Sequence, residues 1–399
     1  MGKKAGWRKK GTLMDFENLL THLPHASWRV VSPGRVNLLG EHVDYNQGLV
    51  LPAAIDRFVE LAAAPRTDRL VVLKALDMGA EVRFSLDDLV SRTDTAGQPL
   101  PGWALYPAGV AWALRNAGFE PEGVEAVYAS DLPIGAGLSS SAAVEVAFAV
   151  LWQAVGGWDM QRMHLAHICQ MAENRYVGVN CGLMDQFTCA HGVARHALYF
   201  DTRTFEWQPL PLPPDTVLVI ADSGVRRQLA DSAYNLRRAD CEQAVRRLRE
   251  HLPDIQSLRD VSLQDIARYG DNLPQETRMR ARHVVEEIER VRQASLYLAR
   301  DDARGFGELM VAGHTSLRDL FEVSTPELDG LVEAALGLEG CYGARLTGAG
   351  FGGCTINLVD KTKADKFSSR LRREYNSRFG RQAVTYVCTP ARGAYVDKI

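Results

Sequence analysis

The chain has 399 residues, of which 46% are hydrophobic and 24% charged, and its formal net charge is −3. That length exceeds what one hydrophobic core usually serves, so two domains are expected, and the balance of residue types excludes long disorder. A charge so near neutral gives no global reason for a nucleic-acid partner, and no apolar run approaches the ~18 residues that a membrane-spanning helix needs, so neither nucleic acid nor membrane is expected.

Basic residues cluster first, at Lys3, Lys4, Arg8, Lys9 and Lys10. No apolar run follows them, so they read as a terminal tail and not as a secretory signal. Short strand-like runs come next: WRVVSP, GLVLPAAI, RFVELAAAP, RLVVLKAL and AEVRFSL, rich in β-branched residues and separated by turn formers. A helix is expected near 104–116, then a strand at GVEAVYAS, then helices from Ser139 to Val155 and from Met160 to Tyr176. The runs ALYFDT and TVLVIADSG read as strands and lead into charged, periodic helices around 229–250 and 275–299. GARLTGAGFGGCTINLV and AVTYVC read as two further strands, with a glycine loop inside the first. Strands and helices without strict βαβ alternation predict an α+β fold and not a doubly wound sheet. A soft domain boundary falls near residue 195.

Seven cysteines (Cys169, Cys181, Cys189, Cys241, Cys341, Cys354 and Cys388) include no Cys-x-x-Cys pair. That pattern fits free thiols in a reducing cytoplasm better than a disulfide framework or a zinc site. His164 and His167 share a helical face, but LAHICQMAENR supplies no clear third ligand and reads as an ordinary half-buried helix.

Three glycine-rich segments carry the chemistry. In PIGAGLSSSAAVEVAFAV (133–150), Pro133, Gly135 and Gly137 make a side-chain-poor turn after a strand, and Ser139, Ser140 and Ser141 open an apolar helix. Backbone N–H groups at such a helix start, aided by the dipole, receive anionic oxygens, and the serine hydroxyls can cap the helix or reach Mg²⁺. A plain strand–turn–helix connection would read the same way. No Gly-Lys-[Ser/Thr] follows, so this is not a Walker A loop. LTGAGFGGCTINLV (346–359) allows close backbone approach at Gly348, Gly350, Gly352 and Gly353, though by itself it is a tight turn before a strand. SPGRVNLLGEHVDYNQGLVLPAAI (32–55) places Arg35, Glu41, His42 and Asp44 within ten residues on a glycine-punctuated loop. Carboxylates beside an imidazole suit a polyhydroxylated ligand, and ordinary solvated loops carry them too.

Together the three segments resemble the GHMP family of small-molecule kinases, and GRVNLLGEHVDYNQGLVLP resembles the signature of its galactokinase branch. The likeness continues through AENRYVGVNCGLMDQF (172–187) and DSGVRRQLADSAYNLRRADCEQA (222–244). It departs at Val43, where that branch usually has threonine. The resemblance implies a two-domain α+β GHMP kinase fold, with an N-terminal domain over 1–195, a ferredoxin-like C-terminal domain over 196–399, and the active site in the cleft between them. It implies Asp185 as catalytic aspartate and Arg35 as its cationic partner. Glu41, His42, Asp44, Gly182, Asp185 and Tyr234 would contact galactose. The loop Gly135, Ala136, Gly137, Leu138, Ser139, Ser140 and Ser141 would hold the ATP phosphates, with Trp103 and Tyr106 near the adenine. Ser141, less surely Ser140, and Glu173 would hold Mg²⁺, and Gly348 and Gly350 would sit at the mouth of the cleft. The implied reaction moves the γ-phosphoryl of ATP to the C1 hydroxyl of galactose. An N-acetylgalactosamine kinase, another GHMP kinase, or a non-catalytic galactose- and ATP-binding sensor are the alternatives. The DYNQG stretch favours galactose, and the intact Ser141-Ala142-Ala143 favours an enzyme. A monomer is expected.

Overall fold

The computed structural model describes residues 16–133, 135–226 and 230–399. The basic residues at 3–10, Ile134 of the phosphate-loop segment and residue 229 at the start of a predicted helix lie outside the described residues. In chain order the first half forms α1 (Phe16–His22), β1 (Trp28–Asn37), β2 (Leu49–Val50), β3 (Pro52–Pro65), β4 (Leu70–Ala75) and β5 (Ala80–Ser85). It continues with α2 (Gly102–Asn116), β6 (Val124–Ser130), α3 (Ser140–Gly156), α4 (Arg162–Met171) and α5 (Met184–His191). Then follow β7 (His196–Asp201), β8 (Trp207–Pro211), β9 (Thr216–Asp222), α6 (Ala230–Leu248) and α7 (Leu263–Tyr269). The rest comprises α8 (Gln275–Leu298), α9 (Ala303–Asp319), α10 (Pro326–Leu336), β10 (Cys341–Thr347), β11 (Cys354–Asp360), α11 (Ala364–Phe379), β12 (Val384–Cys388) and β13 (Tyr395–Lys398).

A six-stranded sheet in the order β13-β1-β3-β6-β4-β5 organises the first half. A four-stranded sheet, β10-β11-β9-β12, organises the second, and a small sheet joins β2, β7 and β8. All pairings are antiparallel except β4 with β6, which is the mixed α+β arrangement expected. GLVLPAAI and RFVELAAAP, predicted as two strands, become the two-residue β2 and one long β3. The chain stays extended through Asp56 and Arg57 at the slip in the β1–β3 register, where the Asp56 N–H donates to the Thr389 carbonyl at 3.2 Å. The predicted strand 343–359 is a hairpin instead. Gly348, Gly350, Gly352 and Gly353 all have positive φ, which reverses the chain between β10 and β11.

Two local features aim the fold at a site. The β1–β3 register slips between Pro33 and Arg35: Gly34 is left opposite residues 55–57 of β3, and Arg35 re-enters the ladder against Ala54 just past this bulge. Gly34 is required there: a Cβ would lie 2.3 Å from Leu132 Cδ2 and 2.8 Å from the Leu138 carbonyl. The second feature is the end of the helix predicted to run to Tyr176. It loosens into a π-turn at Ala172–Val177, a distortion frequent at functional sites, and this turn carries Glu173.

Candidate active site

Arg35 leaves the bulge and lays its guanidinium against the first turn of α5. Its Nε donates to Asp185 Oδ1 at 2.8 Å and its Nη2 to Asp185 Oδ2 at 2.7 Å, a two-pronged pair. Its Nη1 donates to the Gly137 carbonyl at 2.8 Å, tying the same side chain to the loop before α3. Burial alone would lower the Arg35 pKa, but the charge and hydrogen bonds of Asp185 raise it above its usual value. The Ser139 hydroxyl also donates to Asp185 Oδ2. The serine hydroxyls were expected to cap α3 or reach Mg²⁺; Ser139 adopts a left-handed conformation (φ 57°) and its hydroxyl makes no cap, though the residue lines the cleft. The first N–H groups of α3 are thereby left without a side-chain acceptor at the helix start, which suits an anion.

Beside them the Ser141 hydroxyl is a hydrogen-bonding neighbour of Glu173. Burial pushes the Glu173 carboxyl up to about 7, and the Asp185 charge adds to the rise. Gln186 Nε2 bridges Glu173 Oε2 at 2.6 Å and Glu145 Oε2 at 3.0 Å, so one amide holds two carboxyl groups.

On the other side of Asp185 lies the 38–48 loop. Asp44 opens a single 3₁₀ turn, Asp44–Asn46, and its Oδ1 accepts from the Tyr45 N–H at 2.9 Å. Gly182 packs directly on it: a Cβ there would fall 1.8 Å from Asp44 Oδ2. His42 sits at φ 63°, a conformation that costs a non-glycine residue energy. Its Nε2 contacts the Ala349 carbonyl at 3.1 Å and its Nδ1 the Tyr45 hydroxyl at 2.9 Å. A carbonyl only accepts, so Nε2 carries the proton, and in the neutral ring Nδ1 accepts from Tyr45. The Tyr234 ring stands 5.4 Å from His42 and 5.6 Å from Tyr45 between centroids, closing this side of the site.

These groups surround one cleft of about 1010 Å³. Arg35, Glu41, His42, Asp44, Trp103, Tyr106, Gly135, Gly137, Ser139, Ser140, Ser141, Glu173, Gly182, Asp185 and Tyr234 all line it. Ala136 and Leu138 do not; their side chains are buried in the core, because alternate positions of the loop must anchor it. Gly348 lines the cleft, whereas Gly350 turns toward the Val323 carbonyl, 2.3 Å from where a Cβ would stand. His164 and His167 pack against Phe119 and Phe205, at 5.8 and 4.8 Å between ring centroids.

Comparison with known proteins gives this cleft its family. Residues 106–193 match the GHMP kinases N terminal domain, residues 294–377 the GHMP kinases C terminal, and residues 15–65 the galactokinase galactose-binding signature. A galactokinase of Roseiflexus sp. (strain RS-1) is 47% identical over 370 residues, covering 93% of this chain and 92% of the relative. The galactokinase of Homo sapiens is 42% identical over 369 residues, covering 92% and 91% respectively. The chain belongs to the galactokinase family. The crystal structure of Lactococcus lactis galactokinase complexed with galactose superposes with a TM-score of 0.89 at 33% identity, covering 95% of this chain and 98% of that one. Methanococcus jannaschii mevalonate kinase, at 17% identity and a TM-score of 0.64, shares the fold.

Two arginines, one lining this galactokinase cleft and one buried behind it, escaped the sequence reading. Arg226 faces the phosphate loop from the second half of the chain, held by paired bonds to Asp222 at 2.7 and 2.8 Å. Its signal was a basic pair directly after the strand TVLVIAD. Arg345 lies behind the galactokinase signature, and nothing local in GARLTG distinguishes it from any strand arginine.

Proposed function

We propose that the chain transfers the γ-phosphoryl group of ATP to the C1 hydroxyl of α-D-galactose, giving galactose 1-phosphate and ADP. The observation that carries this reading is the position of the Arg35–Asp185 pair, whose guanidinium reaches the Gly137 carbonyl of the phosphate loop while Asp185 shares the cleft with Asp44 and Gly182. A sugar hydroxyl at Asp185 would thus stand next to a γ-phosphate held at the start of α3.

In the proposed step, Asp185 takes the C1 hydroxyl proton, the oxygen forms its bond to the γ-phosphorus, and the bond to the ADP oxygen breaks. Arg35 and Ser139 fix the carboxylate, so it reacts without reorganising. Glu41, His42, Asp44, Gly182 and Tyr234 hold the sugar, the Gly135–Ser141 backbone receives phosphate oxygens, and Trp103 and Tyr106 flank the adenine.

Ser141 and Glu173 fit Mg²⁺, because a hydroxyl and a carboxylate are hard oxygen donors and this ion is usually shared with substrate phosphates. Among the described residues no group of three or more His, Cys, Asp or Glu forms a complete cage, which suits such sharing. The ion would neutralise triphosphate charge there. The division into an N-terminal domain over 1–195 and a C-terminal domain over 196–399 is part of this reading. So is a cytoplasmic location, which the seven free thiols favour.

Purified Asp185→Asn tests the assignment. It should keep its fold and ATP binding and lose about 10²-fold or more in turnover. Turnover near that of the unaltered enzyme would remove Asp185 from the chemistry.

A further inference from the structure

Behind the 38–48 loop lies a buried charge cluster that meets the cleft only through Glu41. Arg345, on β10, has no solvent exposure, and Glu287, on α8, has none either. Arg345 Nη2 donates to Glu41 Oε2 at 2.6 Å, and its Nη1 donates to Glu287 Oε1 at 2.9 Å and to the Leu38 carbonyl at 3.2 Å. Glu287 Oε1 accepts from the Gly40 N–H at 2.8 Å, and its Oε2 from Arg290 Nε at 2.5 Å. The Gly348 N–H reaches Glu41 Oε1 at 3.2 Å. Gly313 of α9 leaves room for the guanidinium, since a Cβ would stand 2.7 Å from Arg345 Nη1. Of Arg345, Glu287, Arg290 and Glu41, Glu41 alone lines the cleft.

A buried ion triad is a poor stabiliser in itself, because desolvation consumes most of the attraction and a well-packed apolar set often serves as well. This one has a specific geometric effect. A carboxylate offers about four acceptor positions. Arg345, from its fully buried position, and the Gly348 N–H each occupy one position, on different Glu41 oxygens. Acceptor capacity toward the cleft remains, and the carboxylate cannot turn away from it.

We propose that Arg345 is a positioning residue for sugar recognition: it touches no substrate, and it holds Glu41 at the angle from which that carboxylate accepts a galactose hydroxyl. This rests on the reading of Glu41 as a sugar contact. Arg345 also carries the coupling between halves of the chain, since a strand of the second half thereby sets a side chain of the first.

The test is a double-mutant cycle on galactose KM, ATP KM and kcat with Glu41→Gln, Arg345→Met and the double variant, with thermal melts alongside. Each single change should raise galactose KM about tenfold or more, as loss of a charged hydrogen bond does, and leave ATP KM within about twofold. The double variant should be no worse than Glu41→Gln alone, because Arg345 acts through Glu41. If Glu41→Gln raises galactose KM while Arg345→Met leaves it unchanged, or if the two penalties multiply in the double variant, the positioning role is overturned and the Glu41 reading stands. If Glu41→Gln itself leaves galactose KM unchanged, the Glu41 reading falls first and the proposal with it. Should Arg345→Met not fold, Arg345→Lys is read on the same scale. Lysine keeps the charge but loses the planar fork that reaches both carboxylates. A rise in galactose KM for Arg345→Lys supports the role, and an unaltered KM overturns it.

Discussion

Asp44 is half-buried, and first its desolvation and then the neighbouring Asp185 charge raise its pKa to about 6. A carboxyl raised in the fold stabilises it most below the unfolded value near 4, and that contribution is lost as pH rises through about 6. Sugar binding has the opposite sign, because a hydroxyl donates to the ionised form. Galactose KM should therefore climb as pH falls through about 6, and steady-state kinetics across that range check it. A KM that stays flat through that interval would exclude an ionised Asp44 from the sugar site. At neutral pH, Asp44→Ala should shrink the preference for galactose over glucose by about tenfold, read as the ratio of kcat/KM values. At this scale much was legible: Arg35, Asp44 and Asp185 stood in recognisable motifs, and they converge. The Ser139 hydroxyl does not cap α3, as a serine before a helix normally does, because the fold brings Asp185 within its reach.

Elements were legible where periodicity or alternation was strong, as in β1, β4, β5, β6 and α2. They were lost where glycine or proline obscured the pattern. The strand β8 reads WQPLP, and two prolines argue against any central strand; it sits at the edge of its sheet, where proline is tolerated. Helix α9 contains Gly305, Gly307 and Gly313, which lowers its helix propensity. Gly307 is needed because a Cβ would stand 2.0 Å from the Tyr342 carbonyl, so α9 packs close against β10. Helix α10 was not predicted either, although its start carries a signal: Thr325 caps it through the Leu328 N–H, and Pro326 occupies its first turn. The turn before α5 carries a prediction of its own. Gly182→Ala would drive a methyl into Asp44, so it should raise galactose KM about tenfold or more while leaving ATP KM within about twofold. An unchanged galactose KM would mean that this turn does not set the Asp44 position.

Across the whole molecule the two-part α+β architecture followed from length and element mix, but the ties between the parts did not. The last strand, β13, returns to pair with β1, matching Trp28 with Lys398. The end of β10 is tied to the end of β1, where Thr347 Oγ1 meets both the N–H and the carbonyl of Asn37 at 3.0 Å. Such ties join residues some 300 positions apart, and no local pattern encodes them. The cleft they build belongs to an ATP-dependent sugar kinase, and chelating divalent cations should abolish turnover, with Mg²⁺ restoring it. Persistence of turnover in excess chelator would exclude the Ser141–Glu173 ion site. The most direct measurement is ADP release by the purified protein with Mg²⁺-ATP and a panel of galactose, glucose and N-acetylgalactosamine. Galactose should drive release with a kcat/KM at least about tenfold above either of the others. Absence of galactose-dependent release, or a faster reaction with N-acetylgalactosamine, would contradict the account.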